Sequence, residues 1–424
     1  MLAFLLRHPF EFRTLVQYEL YHERKHDITD EKEHSTSGWD RSTMRRCWER
    51  LDETSGGFSA VIKELDGDLA RTTCLFYLVT KTLDTIEADA TLAPDDKASA
   101  LLSLHERICH PSYSPDADLT FELLSLPSQY QAVILDTCRK MGAGMAAYVG
   151  APIDSPAAYD LYCHYVAGLS VEGVSALWSV SRTEAPWPAL AESTGRFLYK
   201  ATVVRDPALW PRGIWASGAT ETSMRSALVL DALRHAEDVL DFLGTLRNQS
   251  VFNFHAIPAT MAMATLAECF GNPRADVRIR KAAAASLIMR SKNPREVCYI
   301  FRECARKLHA RADPLDPNFL RISVACGKIE QWCERHYPSF VSGDPGASDA
   351  RLRVVAADKE RDLELAQAKR VAEIRKRPTT RAPTRQEPQG VPWDVFGYML
   401  AALLVIVAVA CGIIWTILFV LGED

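Results

Sequence analysis

The chain has 424 residues, 48% of them hydrophobic and 24% charged, an ordinary globular mixture that excludes wholesale disorder. Its 49 Lys and Arg against 54 Asp and Glu give a formal charge of -5, which excludes a general nucleic-acid binder, because counterion release needs a strong basic field. The 11 Cys are an odd number without any Cys-x-x-Cys, so they read as reduced thiols rather than a disulfide frame or zinc site.

In chain order, the N-terminal MLAFLLRHPFEF is too short and too soon charged for a secretory signal. From there to about residue 340 the pattern is helical. Apolar residues recur at spacings of three and four, as at Ile62, Leu65 and Leu69 or Val229, Leu230 and Leu233. Prolines such as Pro94, Pro111, Pro152, Pro211 and Pro294 fall between these stretches. No βαβ alternation appears, so the expected class is all-α, one domain over residues 1–340.

Four segments carry polar groups suited to chemistry. The first runs from Asp66-Gly67-Asp68 to Asp84-Thr85-Ile86-Glu87-Ala88-Asp89, with Tyr77 and Lys81 between. Asp84 and Glu87 share a helix face, and two such carboxylates can hold a magnesium ion beside phosphate oxygens; alone, the spacing equally describes a solvated face. The second, Tyr162-Cys163-His164-Tyr165, offers a phenol for proton transfer, while its lone His reads more readily as a satisfied core residue. The third, Tyr199-Lys200 to Arg205-Asp206, places two cations and a carboxylate before Trp210-Pro211, as an ordinary helix end also does. The fourth is Arg247-Asn248-Gln249-Ser250-Val251-Phe252-Asn253-Phe254, whose Asn-Gln-Ser is formally a glycosylation sequon.

Beyond the helical part, Ser342 to Ala350 signals a linker, Arg351 to Arg377 is highly charged, and Pro378 to Pro392 is proline-rich, so residues 341–392 read as a stalk. Val395 to Leu421 contains 27 residues without a charge. As a helix at ~1.5 Å per residue this spans a ~30 Å hydrocarbon core with some tilt. Trp393 and Tyr398 stand at one end, and Lys369, Arg370, Arg375, Lys376, Arg377, Arg381 and Arg385 lie upstream. A C-terminal transmembrane anchor over 393–424 is expected, with the domain cytosolic and the endoplasmic reticulum as the membrane.

Taken together, FYLVTKTLDTIEAD, YCHYVAG, YKATVVRD before WP, and RNQSVFNFHAIP resemble, in order, the motifs of the squalene synthase family; HPFEF and the anchor agree. The resemblance runs from about His8 to Phe340. It implies a single all-α isoprenoid-synthase bundle around an apolar cavity, acting as a monomer. There two farnesyl diphosphates condense to presqualene diphosphate, which NADPH then reduces to squalene. Magnesium and diphosphate lie on aspartate-rich motifs. By position it implies Asp84, Glu87 and Asp206 as metal ligands, and Lys81, Lys200 and Arg205 as diphosphate ligands. Tyr165 and Tyr77 match the catalytic tyrosines, and Phe252 and Phe254 the hydrophobic pocket.

The chain departs from that pattern where charge matters. The family's first Asp-x-x-Glu-Asp ends here in Ala88, with Asp89 one position further and ~100° round the helix. In the second motif Asp206 runs straight into Pro207-Ala208-Leu209-Trp210, without the family's Glu and Asp. Ser55-Gly56-Gly57-Phe58 replaces Ser-Arg-Ser-Phe and removes a cation. A weakened magnesium site is therefore expected. Three readings follow: a working synthase, a divergent paralogue with altered substrate or inhibitor handling, and a non-catalytic membrane partner of a true synthase. The lone Gly142-Ala143-Gly144 is too weak a signal to place NADPH.

Overall fold

The computed structural model describes residues 9–21, 26–110, 112, 116–215, 219–272 and 278–338. The chain divides between Val341 and Ser342, and all described residues belong to the first unit. The stalk and the anchor lie outside the described residues. Among the described residues there is no β-strand, and no helix is long and apolar enough to cross a membrane.

The helices follow in order: α1 Pro9–Tyr21, α2 His34–Ser37, α3 Ser42–Ser55, α4 Phe58–Lys63, α5 Leu69–Ala88 and α6 Pro94–Arg107. Next come α7 Ala117–Leu124, α8 Ser128–Ala147, α9 Pro156–Cys163, a π-helical turn His164–Gly168, α10 Leu169–Val180 and α11 Pro188–Arg205. The last are α12 Glu221–Leu233, α13 Ala236–Thr245, α14 Gln249–Cys269, α15 Lys281–Arg290, α16 Pro294–Arg311 and α17 Phe319–His336. Pro94, Pro156, Pro188 and Pro294 occupy first turns, where the missing N–H has no intrahelical partner to lose. Side chains of Asp116, Ser155, Thr220, Asn248 and Asn293 cap the helices that follow them.

Burial organises two apolar clusters. One, built from α3, α5, α6, α8 and α10, includes Trp48, Phe76, Leu83 and Trp178. The other, built from α11 to α14, α16 and α17, includes Phe197, Val229, Met263 and Phe301. The start of α14 serves both: Val251 and Phe254 enter the first cluster and Phe252 the second. Residues two apart on a helix differ by ~200°, so this alternation bridges the two halves. α11 is the hub, packing on α10, α12, α13, α14 and the π turn. Its Gly195 lets the Ala167 carbonyl approach so closely that an added Cβ would overlap it.

Candidate active site

α5 buries Leu75, Phe76, Leu78, Val79 and Leu83. Its opposite face presents Tyr77, Lys81, Asp84 and Glu87 at steps of four, three and three residues, so they form one stripe. Lys81 Nζ lies 3.6 Å from Asp84 Oδ2, with the two side chains 39% and 48% exposed. Desolvation raises the pKa of Asp84, and Lys81 works against the rise. Burial also raises Glu87; a hydrogen bond from Tyr162 opposes this, while the charge of Asp84 adds to it. Tyr162 Oη donates to Glu87 Oε1 at 3.0 Å, and burial raises the Tyr162 pKa, so the phenol stays a donor.

Magnesium is commonly held by one or two carboxylates with the remaining positions taken by water and phosphate. Asp84 and Glu87, desolvated and mutually repelling, suit that partial ligand set, because a cation between them would relieve both effects. Among the described residues no group of three His, Cys, Asp or Glu side chains is placed to hold a metal. Asp89 does not supply a third oxygen. It terminates α5 in extended geometry, and its Oδ1 accepts the N–H and hydroxyl of Thr91 at 2.8 and 2.6 Å.

Tyr165 lies in the π turn, a local widening of the helix often found at functional sites. Its ring sits over Gly144 of α8, where any Cβ would overlap it. The neighbouring Gly142 likewise admits the Leu101 carbonyl. Gly142-Ala143-Gly144 is therefore a helix-packing device, not a nucleotide loop. Tyr148 borders Tyr165 and Tyr162 with ring centroids 6.4 and 5.3 Å away, and Tyr199 of α11 meets Tyr162 edge-on at 6.2 Å. Four tyrosines thus gather beside the acidic stripe. His164 is a satisfied residue, its Nδ1 2.8 Å from Glu192 Oε1.

At the other end of the stripe, Tyr77 Oη donates to the Thr54 carbonyl at 3.1 Å. Phe58 stands between Tyr77 (6.3 Å) and Phe254 (5.4 Å), and Trp178 meets Phe254 edge-on at 5.6 Å. Phe254 thus joins the aromatic wall beside Tyr77, whereas Phe252 is buried in the other cluster. The Gly56-Gly57 elbow beside this wall leaves open space where a Cβ would stand, and Gly56 has φ +57°.

Three other expected residues lie in different surroundings. Lys200, expected at diphosphate, is only 2% exposed. Its ammonium pairs with Asp160 and Asp231, faces His235 Nε2 at 3.2 Å and lies 5.7 Å from the Tyr159 ring centroid. A lysine only donates, so His235 accepts through Nε2 and its Nδ1–H points to Ser193 Oγ at 2.8 Å; Ser193 in turn donates to Asp238 at 2.6 Å. Burial and the neighbouring Lys200 push the His235 pKa down to about 4, keeping it neutral. Two carboxylates, an imidazole and a phenol ring thus surround the Lys200 ammonium inside the fold. Arg205 and Asp206 are exposed at the end of α11, and Asp206 Oδ1 accepts from Ala208 N at 3.0 Å. The residue before proline avoids helical geometry, and Asp206 accordingly has φ -110° and ψ 103°.

The sequence reading passed over Phe58, Trp178, Tyr162 and Tyr199 as site residues. Tyr162 had a signal, one helical turn before Tyr165. Phe58 had one too, as the retained Phe of Ser55-Gly56-Gly57-Phe58, but Trp178 had none, since only the chain's folding brings it to Phe254.

Comparison with known proteins supplies the kinship. A family described as squalene/phytoene synthase matches residues 51–208. The squalene synthase of Ganoderma lucidum is 48% identical over 446 aligned residues, covering 88% of this chain and 95% of the relative. That alignment is longer than the 424-residue chain, so the relative carries segments without a counterpart here. The squalene synthase of Mycosarcoma maydis is 39% identical over 415 residues, covering 82% of this chain and 72% of the relative. A solved ligand complex of TcSQS superposes with TM-score 0.67 at 30% identity, covering 70% of this chain and 100% of that one. The chain belongs to the squalene synthase family, with the all-helical isoprenoid-synthase-like fold that its helices build.

Proposed function

We propose that this protein is a farnesyl-diphosphate farnesyltransferase of the squalene synthase type. It joins two farnesyl diphosphates into presqualene diphosphate and reduces that intermediate to squalene. What carries the reading is the kinship over nearly the whole length of the Ganoderma relative, joined to the stripe Tyr77–Lys81–Asp84–Glu87 beside the tyrosine group.

Asp84 and Glu87 would hold magnesium, which supplies charge neutralisation for the departing diphosphate. Lys81 offers a cation to the same phosphate from one turn away, and Arg205 an exposed one from the end of α11. Tyr162 fixes the Glu87 carboxylate, leaving its second oxygen for the cation. Tyr165 is the proton-handling phenol of the first half, and Tyr77 faces the aromatic wall. Phe254, Phe58 and Trp178 form an apolar wall able to exclude water from a carbocation. Reduction by NADPH rests on the kinship; Gly142-Ala143-Gly144 does not cradle a nucleotide. Residues 341–392 are a stalk, and 393–424 anchor a monomer to the endoplasmic-reticulum membrane with the domain in the cytosol.

A second reading, a divergent or non-catalytic paralogue, is favoured by one observation: Asp206 caps a turn, and among the described residues no third carboxylate joins Asp84 and Glu87. One assay separates them. Full-length protein in detergent, with farnesyl diphosphate, Mg²⁺ and NADPH, makes squalene under the main reading. Presqualene diphosphate or farnesol without squalene marks the divergent enzyme. Absence of both turnover and Mg²⁺-dependent diphosphate binding marks the non-catalytic partner.

A further inference from the structure

The acidic stripe and the aromatic wall stand on different helices, α5 and α14. Side chains with no part in the chemistry above join the starting ends of those helices. Asp66, in the turn before α5, accepts Asn248 Nδ2 on its Oδ2 at 3.1 Å. The Asp66 backbone N–H donates to Ser250 Oγ at 3.1 Å. Asn248 is at the same time the cap of α14, its Oδ1 accepting from Ser250 N and Val251 N at 2.8 and 3.0 Å. The partners dictate the amide orientation: only N–H and O–H donors surround its oxygen, and a carboxylate faces its nitrogen. Asn248 thus holds α14 with one end and the lead-in to α5 with the other.

A third element enters the same knot. Glu184, 8% exposed and just beyond α10, accepts the backbone N–H groups of Arg247 and Asn248 at 2.8 and 2.5 Å. α10 continues directly from the π turn bearing Tyr165. His26 closes the knot from the N-terminal side, with Nε2 3.1 Å from Asp66 Oδ1 and Nδ1 3.1 Å from Glu33 Oε1. Ionised carboxylates only accept, and a neutral imidazole has a single N–H, so two such bonds require the imidazolium. The three segments carrying the acid stripe, the phenol and the aromatic wall therefore converge on Asp66, Asn248 and Glu184.

We infer that Asp66 and Asn248 are positioning residues that register the acidic face of α5 against the aromatic face of α14, so that the product of the first half-reaction is retained for the second. This rests on the function proposed above. It gives the polar half of Arg247-Asn248-Gln249-Ser250 a role, with Asn248 engaged in the fold rather than serving as a glycosyl acceptor. A small misregistration between two reacting regions is costly, of the order of 10²-fold for about 1 Å.

The test uses the full-length protein in detergent with farnesyl diphosphate, Mg²⁺ and NADPH, comparing the wild type with Asn248→Ser. Serine keeps the helix cap but cannot reach Asp66. Squalene formation should fall by about tenfold or more relative to farnesyl diphosphate consumption. Presqualene diphosphate should be released and the KM for farnesyl diphosphate should not change. An equal fall in consumption and squalene, or no fall, overturns the inference. Asp66→Ala, which removes the acceptor of the Asn248 amide, carries the same comparison if the first variant does not fold. A wild type that consumes no farnesyl diphosphate refutes the proposed enzyme instead. Amide hydrogen exchange at residues 66–70 and 248–252 then decides the knot, and equal protection in wild type and variant refutes it.

Discussion

Asp84 and Asp206 both stand near the ends of long helices, but the backbone treats them differently. α5 continues through Glu87 to Ala88, so Asp84 and Glu87 project together from regular helix. α11 stops at Arg205, because Pro207 forces Asp206 into extended geometry, and the carboxylate then caps the next turn. A three-residue spacing joins two carboxylates only where the helix persists through both. The missing residues after Asp206 therefore alter the one that remains, not merely the count of ligands.

The largest expected effect breaks this comparison open. Asp84→Asn should lower the rate of farnesyl diphosphate consumption by ~10²–10³-fold, the scale of removing a preorganised charge site. Asp206→Asn should change it little. Equal losses would show that Asp206 serves the magnesium after all.

Lys200 sharpens the contrast from the interior of α11. Lys200→Met removes the buried cation shared by Asp160 and Asp231, leaving Asp231 only Arg234 at 3.2 Å, and should cost about 3 kcal/mol in thermal or urea unfolding, the low end for a broken buried pair because both carboxylates keep some water. Retained stability with lost pyrophosphate affinity would return Lys200 to the phosphate site.

A smaller effect is expected at Tyr162. Tyr162→Phe removes one hydrogen bond to the Glu87 carboxylate and should slow farnesyl diphosphate consumption roughly tenfold, equivalent to about 1.5 kcal/mol. Unchanged kinetics would detach the tyrosine group from the acidic stripe.

The smallest effect is a pH dependence at His26. Burial opposes its cation, but the hydrogen bonds it donates to Asp66 and Glu33, with their negative charges, outweigh burial and raise its pKa above the ordinary 6.5. A raised pKa contributes stability that is fully present below 6.5 and is lost as pH rises through the folded-state value. His26→Gln should flatten that fall on the alkaline side of 6.5, measured by urea midpoints. The groups facing the imidazole are Glu33 and Asp66, so a wild-type curve already flat would contradict the doubly bonded imidazolium.

Much of the site was legible because it is local. Tyr77, Lys81, Asp84 and Glu87 share one helix, and helical periodicity alone puts them on one face. The all-α class followed from apolar spacing and from proline positions, two of which, Pro94 and Pro294, mark helix starts. Asp89 was readable only as a residue ~100° out of line; its turn with Thr91 depended on where α5 ended. Lys200 looked like a free cation beside Arg205 because its partners, Asp160 and Asp231, are distant in sequence.

The sequence by itself determined the helical periodicity, the motif order, the loss of carboxylates after Asp206 and the uncharged segment near the C-terminus. These are properties of neighbouring residues, and 3.6 residues per turn translates them directly into faces. Only the tertiary structure decided that Lys200 is neutralised inside the fold and that Phe252 and Phe254 face different cores. The same holds for Phe58 and Trp178 completing the wall, and for Asn248 tying α14 to the start of α5. Each of these outcomes depends on burial and on partners tens to hundreds of residues away. A buried charge or amide takes its role from the groups that desolvate and satisfy it, and local spacing does not contain them.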